Sequence, residues 1–99
     1  MSVSKKQNGN ELLFIIEGNI DSTTAPDLHE IICGALDGVT SLILDFEKVA
    51  YISSAGLRVI LTAYKTMSEQ GKMVIRKVNE DVMEVFTLTG FDSFLNFEN

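Results

Sequence analysis

The sequence is poor in the residues that build disulfides, metal centres and catalytic triads. Its 99 residues include one cysteine, Cys33, and one histidine, His29. A single thiol excludes an internal disulfide, which is typical of proteins in a reducing compartment. Cys33 lies on the apolar side of a predicted helix, so we expect a buried, inert thiol. His29 lies in the middle of the same helix next to Glu30, so we expect a solvated imidazole. Two such side chains also fall short of a metal-ligand set, so no metal is expected.

Other catalytic and cofactor signatures are missing as well. The acidic residues are scattered, and no pair of carboxylates is placed as an acid and a base. The sequence has no glycine-rich phosphate loop of the Walker or dinucleotide type. We therefore expect neither an enzyme nor a bound cofactor.

Basic residues and long apolar runs are also scarce. The chain has 14 acidic and 8 basic residues, which gives a net charge of −6. Nucleic acids and anionic membranes require a basic surface, so neither is the expected partner, and a protein with a basic patch fits better. No apolar run approaches the ~20 residues that a membrane-spanning helix needs. The first ten residues lack the apolar centre of a signal peptide, so we expect a cytoplasmic protein.

Apolar residues are plentiful, at 45% of the chain, which suffices for the core of one domain. Apolar runs at 12–16, 42–44 and 73–75 predict buried strands, and weaker patterns at 3–7 and 94–97 predict two more. Apolar residues at helical spacing predict helices between the buried strands and after the third. This alternation predicts an α/β fold, with helices packed on a mixed, mostly parallel sheet of four or five strands.

Two polar loops have the position of a binding site in such a sheet. Sites form beyond the carboxyl ends of parallel strands, where helices begin, and the sequence predicts loops there at 18–24 and 45–56. If the strands before them are neighbours, Asp21 and Ser54 meet at one edge of the sheet, although 33 residues separate them. For Asp21, the residues alone favour a simpler role in a turn or in the first turn of a helix.

Ser53 and Ser54 precede the second predicted helix, whose apolar positions run to about residue 70. A serine at this place is either a plain N-cap or a phosphorylation site, since the free N–H groups and the helix dipole stabilise negative charge. The residues alone favour the cap for Ser54, and the two adjacent serines compete for that role. Arg58 lies four residues after Ser54, where it is either a solvated cation or the partner of a phosphate.

The residues around the two serines carry further alternatives. Gly56 is either a permissive first-turn residue or a gap through which a partner approaches the backbone. Tyr51 and Ile52 are expected to pack onto the core, and an exposed Tyr51 at a binding edge is the alternative. The outward face of the same predicted helix carries Thr62 and Lys65, part of the largest group of polar and basic residues in an acidic chain.

Three parts of the chain resemble the STAS domain family. Residues 42–46 and 49–57 (LILDF and VAYISSAGL) resemble its central motif, residues 18–21 (GNID) its earlier motif, and residues 88–91 (LTGF) the end of its C-terminal helix. Together these parts span nearly the whole chain in the order and spacing of the family. The resemblance therefore implies one STAS domain over residues 1–99, most similar to the bacterial anti-sigma factor antagonists.

The resemblance also implies a regulatory cycle of partner switching. In that family the antagonist binds an anti-sigma factor that is also a serine kinase, and binding frees a sigma factor. The kinase phosphorylates a serine at the start of the second helix, which ends binding, and a serine phosphatase removes the phosphate. By motif position, the resemblance implies Ser54 as the phosphorylated residue. The predicted partner-binding residues are Asp21, Ser53, Gly56, Arg58, Thr62 and Lys65.

Two positions depart from the pattern of the family. Ser53 stands where its members often carry an aspartate, and Ala55 stands where they often carry a second hydroxyl residue. The identity of the kinase is therefore open, and Ser53 remains an alternative acceptor to Ser54. Two other functions also remain open: a phosphorylation-independent STAS module in a transport or scaffold complex, and a small hydrolase with Ser54 as its nucleophile.

Overall fold

A computed structural model describes all 99 residues of the chain, and it has the mixed α/β architecture that the sequence predicts. The elements, in chain order, are β1 (Ser2–Asn8), β2 (Glu11–Ile20), α1 (Ala25–Cys33), β3 (Ser41–Ile52), α2 (Ser54–Gln70), β4 (Lys72–Arg76), α3 (Glu80–Leu88), a short 3₁₀ helix (Phe91–Ser93) and β5 (Phe97–Glu98). None of the helices is both long and apolar enough to span a membrane.

The strands lie in the sheet in the same order as in the chain, from β1 to β5. β1 pairs antiparallel with β2, and every later pair is parallel. Each parallel crossover therefore steps in the same direction across the sheet. Because such crossovers are right-handed, the three helices lie on one face of the sheet, where α1 packs against α2 and α3 packs against β3.

Side-chain burial along the strands agrees with a sheet that is covered on one face. Leu12, Leu42 and Met73 stand side by side in the register of β2, β3 and β4, and each is at most 4% exposed. The next residue of each strand points to the opposite face and is partly exposed. The covered face belongs to one cluster of 24 buried apolar residues, to which α3 adds Phe86, with its ring centroid 6.1 Å from that of Phe46.

Two strands are longer than the sequence predicts. The loop expected at 45–56 is largely strand, because β3 continues to Ile52, and the loop expected at 18–24 begins in strand, because β2 continues to Ile20. The pairing of β2 with β3 shifts register between Ile15 and Glu17 and again between Gly18 and Asn19. These shifts break the period of two that marks a strand in a sequence. Consequently the expected long polar loop before the second helix is wrong, and Ser53 alone separates β3 from α2.

The burial of Ile31 and the bounds of the last strand also differ from the sequence-based prediction. Ile31, expected in the core, is 41% exposed on α1. The last strand is Phe97–Glu98 rather than 94–97, because the 3₁₀ helix places the Phe94 ring 4.9 Å from that of Tyr64 on α2. Stacking against a helix thus removes Phe94 from the sheet.

One charged residue, Asp45, is buried, on the sheet face away from the helices. Its Oδ2 accepts a hydrogen bond from Nε of Arg76 on the neighbouring strand at 3.1 Å, and its Oδ1 accepts from the Glu47 N–H at 3.0 Å. Burial of a carboxylate is tolerated when it is paired and hydrogen-bonded in this way. The pair therefore supports the junction of β3 and β4.

We predict that Arg76→Met lowers the free energy of unfolding by about 1–3 kcal/mol, because Asp45 is left buried without its cation. The matched control is Lys77→Met, which breaks the exposed pair of Lys77 Nζ with Glu47 Oε2 and should cost about 0–1 kcal/mol. Urea denaturation measures both losses. Equal losses in the two variants would contradict the structural role of the Asp45–Arg76 pair.

Candidate functional site

The carboxyl ends of β2 and β3 meet at one point of the sheet edge. Ile20 and Ile52, the last residues of the two strands, are partners in the register. The Ser53 N–H then donates a hydrogen bond to the Ile20 carbonyl at 2.8 Å. Asp21 and Ser53 therefore leave the sheet side by side, and Ser54 begins α2 at the next position. The structure brings together the residues that the sequence placed at this edge.

Gly56 brings the first turn of α2 close to both strand ends. A Cβ at this position would lie 2.6 Å from Cγ2 of Ile20 and 2.8 Å from Cγ1 of Ile52, closer than real Cβ contacts. The gap left by the missing side chain is thus filled by the protein's own core. Any role of Gly56 in partner binding is therefore indirect, through the placement of Ser54.

The two serines at the start of α2 have different environments. Ser53 has extended backbone and is the N-cap, and its Oγ accepts a long hydrogen bond of 3.4 Å from the Gly56 N–H. Ser54 is the first residue of the helix, is exposed, and has a hydroxyl with no hydrogen bond within the chain. The expectation that Ser54 is a plain cap is therefore wrong, and its hydroxyl faces solvent.

An exposed row of side chains continues from Ser54 along α2. Ser54, Arg58, Thr62 and Lys65 follow each other at intervals of three or four residues, and all four are exposed. We call this row the α2 stripe. Its cations, Arg58 and Lys65, take part in none of the three ion pairs of the chain. The Thr62 hydroxyl donates to the Arg58 carbonyl at 2.9 Å, which leaves the guanidinium free.

Asp21 organises the turn between β2 and α1. Its Oδ1 accepts hydrogen bonds from the Thr23 hydroxyl at 2.6 Å, the Thr23 N–H at 2.9 Å and the Thr24 N–H at 3.2 Å. These bonds, led by the one from the Thr23 hydroxyl, lower the pKa of Asp21 below its ordinary value of 3.8. The second carboxylate oxygen, Oδ2, has no hydrogen bond within the chain. Asp21 is therefore a turn residue with one oxygen available to a partner.

The exposure of Tyr51 differs from the sequence-based prediction. Its side chain is 51% exposed, whereas the adjacent Ile52 is 1% exposed and packs into the core. Tyr51 pairs with Asn19 just after the second register shift, so its orientation was hidden from a reading based on alternation. The expectation that Tyr51 packs onto the core is wrong, and the alternative of an exposed tyrosine at the edge describes the structure.

The single cysteine and histidine lie away from this edge, on α1. Burial raises the pKa of the Cys33 thiol, which disfavours the reactive thiolate. His29 is exposed. No group of three or more histidine, cysteine, aspartate or glutamate side chains is close enough to hold a metal ion.

Comparison with known proteins identifies the family. The family model of the STAS domain matches residues 2–99, and the chain belongs to this family. BtrV of Bordetella bronchiseptica is 34% identical over 90 residues, which cover 89% of this chain and 78% of that protein. The anti-sigma-B factor antagonist of Bacillus subtilis is 28% identical over 97 residues, which cover 97% of this chain and 89% of that protein.

A solved structure has the same fold. The anti-sigma factor antagonist SpoIIAA in its unphosphorylated form superposes with a TM-score of 0.84 at 17% identity, over 99% of this chain and 89% of that chain. SpoIIAA has also been solved in its phosphorylated form, with a TM-score of 0.76 to this chain at 16% identity and coverage of 99% and 92%. At this identity the likeness establishes the fold alone.

We predict that Gly56→Ala lowers the free energy of unfolding by about 1–3 kcal/mol, because the added methyl group overpacks the contact with Ile20 and Ile52. The control is Ser54→Ala on the exposed side of the same turn, which should change stability by about 0.5 kcal/mol or less. Chemical denaturation compares the two variants. Similar stability in both would contradict the close approach at Gly56.

A second prediction concerns the charge of Asp21. Since its pKa is lowered in the folded protein, ionised Asp21 stabilises the fold above its ordinary pKa of 3.8, and this stabilisation is lost as the pH falls through the lower folded value. Asp21→Asn keeps the Oδ1 acceptor but removes the charge. Wild type should therefore exceed Asp21→Asn in stability at neutral pH and lose that advantage in acid.

Denaturation curves at a series of pH values measure the difference between wild type and Asp21→Asn. Asp21→Ala serves as the comparison, because it removes the hydrogen bonds of the turn at every pH. A stability difference between wild type and Asp21→Asn that does not change with pH would contradict the assigned role of the charge.

Proposed function

We propose that this protein is an anti-sigma factor antagonist. It binds an anti-sigma factor that is also a serine kinase, and this binding releases a sigma factor in the cytoplasm. Phosphorylation of Ser54 by that kinase ends the binding, and a serine phosphatase restores the hydroxyl. Support for the class comes from relatives such as the anti-sigma-B factor antagonist of Bacillus subtilis and from the fold shared with SpoIIAA.

The main observation in support of Ser54 as the switch is that its hydroxyl makes no hydrogen bond within the chain. Ser53 occupies the cap position, so modification of Ser54 removes no hydrogen bond from the folded chain. The Ser54 side chain is exposed at the first helical position, where a kinase can reach it. Ser53 is the weaker acceptor in this proposal, because its hydroxyl already bonds the Gly56 N–H and its side chain is half-buried.

The physical chemistry of a phosphate at this position favours a switch in binding over a change in fold. A phosphoserine adds about −1.5 to −2 units of charge. At the start of a helix this charge meets free N–H groups and the positive end of the helix dipole, so the fold tolerates it. Arg58, one turn further on the α2 stripe, is unpaired and within the spacing of a side-chain pair. The unfavourable free energy of phosphorylation therefore arises at the interface with a partner that packs against α2.

In this proposal the binding surface is centred on the start of α2. It consists of the α2 stripe together with Asp21 and Ser53, which flank it at the sheet edge, while Gly56 holds the helix in place. The free Oδ2 of Asp21 is available to the kinase or to the phosphorylation reaction. The kinase supplies the nucleotide and the catalytic groups.

We predict that Ser54→Ala binds the kinase-type anti-sigma factor and resists phosphorylation. Ser54→Glu should fold normally and bind at least about tenfold more weakly, and authentic phosphoserine should bind more weakly still, because a carboxylate carries less charge than a phosphate. The experiment incubates the protein with the purified anti-sigma kinase and ATP, maps the phosphate by mass spectrometry, and titrates each form against the kinase.

The matched control is Ser53→Ala. It removes the cap, so it should lose about 1 kcal/mol of stability, yet it should still be phosphorylated at Ser54. Modification at Ser53 alone would overturn the assignment of the acceptor. Equal affinity of the modified and unmodified protein would instead favour a phosphorylation-independent module. Covalent labelling of Ser54 by a serine-reactive phosphonate would favour a hydrolase.

A further inference from the structure

The cations of the helical layer are confined to its second helix. α1 and α3 contain no lysine or arginine, whereas α2 contains both Arg58 and Lys65. The acidic residues of the other helices are Asp27 and Glu30 on α1 and Glu80, Asp81 and Glu84 on α3. α2 also carries one exposed carboxylate, Glu69, near its C-terminal end. The only lysine and arginine side chains of the helical layer are therefore Arg58 and Lys65, which we call the basic ridge, while α1 and α3 carry only acidic charged residues and one histidine.

Arg58 and Lys65 differ from the three cations that form ion pairs within the chain. Lys48, Arg76 and Lys77 each pair with a carboxylate, and all three ion pairs involve a residue of β3. Arg58 and Lys65 have no such partner and project from the α2 stripe that begins at Ser54. Their charge is thus available to an opposing surface.

Tyr51 supplies an exposed aromatic group at the end of β3, on the sheet face opposite to that of the core residue Ile52, so a partner reaches both Tyr51 and α2 only around the carboxyl edge of the sheet. It lies three residues before Ser54, is 51% exposed, and stacks on no other ring of the chain. Its neighbour Ile52 fills the core, so Tyr51 is held at the end of β3 by a buried residue. Half-exposed tyrosines on rigid elements are frequent anchors of protein interfaces, because they bury a large apolar area at little cost in conformational entropy.

We infer that the protein surface which docks here is acidic where it faces α2 and has an apolar recess for Tyr51, so that it straddles the carboxyl edge of β2 and β3. The inference rests on the proposed function and names the chemistry of the anti-sigma factor's contact surface. It replaces the expectation of a basic partner patch, which follows from the net charge of −6 but not from the local charge of α2.

The same arrangement gives a physical reason for the switch. A phosphate on Ser54 adds its charge at the end of the ridge closest to Tyr51 and one turn from Arg58. It offsets the positive charge that attracts the partner and repels the partner's carboxylates. Docking then fails without any movement of the helix.

The test is a titration of purified anti-sigma kinase, without ATP, against wild type and four variants. Tyr51→Ala and the double variant Arg58→Glu/Lys65→Glu should each weaken binding at least about tenfold. The double variant should also associate more slowly, with a smaller dependence on salt. Two controls change exposed residues of the other helices. Leu88→Ala removes an apolar side chain that is 78% exposed at the end of α3, and Glu30→Lys changes a charge on α1. For both we expect less than about a threefold change in affinity.

Circular dichroism and melting curves establish that each variant folds. If wild type binds and loses affinity on phosphorylation of Ser54, while the double variant binds equally well or more tightly, the inference is overturned and the proposed function stands. An unchanged affinity of Tyr51→Ala likewise overturns the inferred recess. If wild type neither binds the kinase nor becomes phosphorylated, the proposed function itself fails.

Discussion

The site depends on one contact, the approach of the first turn of α2 to the paired ends of β2 and β3. The Ser53 N–H closes onto the Ile20 carbonyl, and Gly56 allows the helix to rest on Ile20 and Ile52. Because the two strands remain paired to their last residues, no loop separates the sheet from the helix. The positions of Asp21, Ser54 and the α2 stripe follow from this contact, so the candidate surface is held in place by the core beneath it.

At this edge, polar groups that support the fold lie beside groups that face solvent. Ser53 caps the helix while Ser54 remains free, and Asp21 uses one carboxylate oxygen for its turn while the other is unoccupied. Such a division allows the surface to be modified or bound without breaking an internal hydrogen bond. In the proposed switch a phosphate on Ser54 therefore acts on docking, because the groups that it disturbs belong to the partner and not to the chain itself.

Much of the fold was predictable because its strongest signals are periodic. α2 shows apolar residues at helical spacing over its whole length, and its structure runs from Ser54 to Gln70 as expected. The ends of β2 and β3 were missed because two register shifts spoil the alternation that identifies a strand. The exposure of Tyr51 and the capping role of Ser53 were missed for a related reason. The exposure of Tyr51 depends on which residue of a pair faces the core, and one shift in register reverses that choice. The capping role of Ser53 depends on the residue at which β3 ends and α2 begins. The resemblance to STAS domains indicated the candidate site, but the pairing of the strands determines its geometry.

In the inferred docking, the local charge of α2 determines the chemistry of the partner more than the net charge does. At physiological ionic strength, interactions between exposed charges are screened over a Debye length of about 8 Å. Packed helices such as α1 and α2 lie roughly 8–10 Å apart, so a group that contacts α2 experiences the charges of α1 only weakly. Direct contact is governed by Arg58 and Lys65, whereas the remaining carboxylates act on solubility and on long-range approach. A protein of net charge −6 can thus present two unpaired cations on one helix, and in the proposed switch a single phosphate, with a charge of about −1.5 to −2 units, is sufficient to offset them.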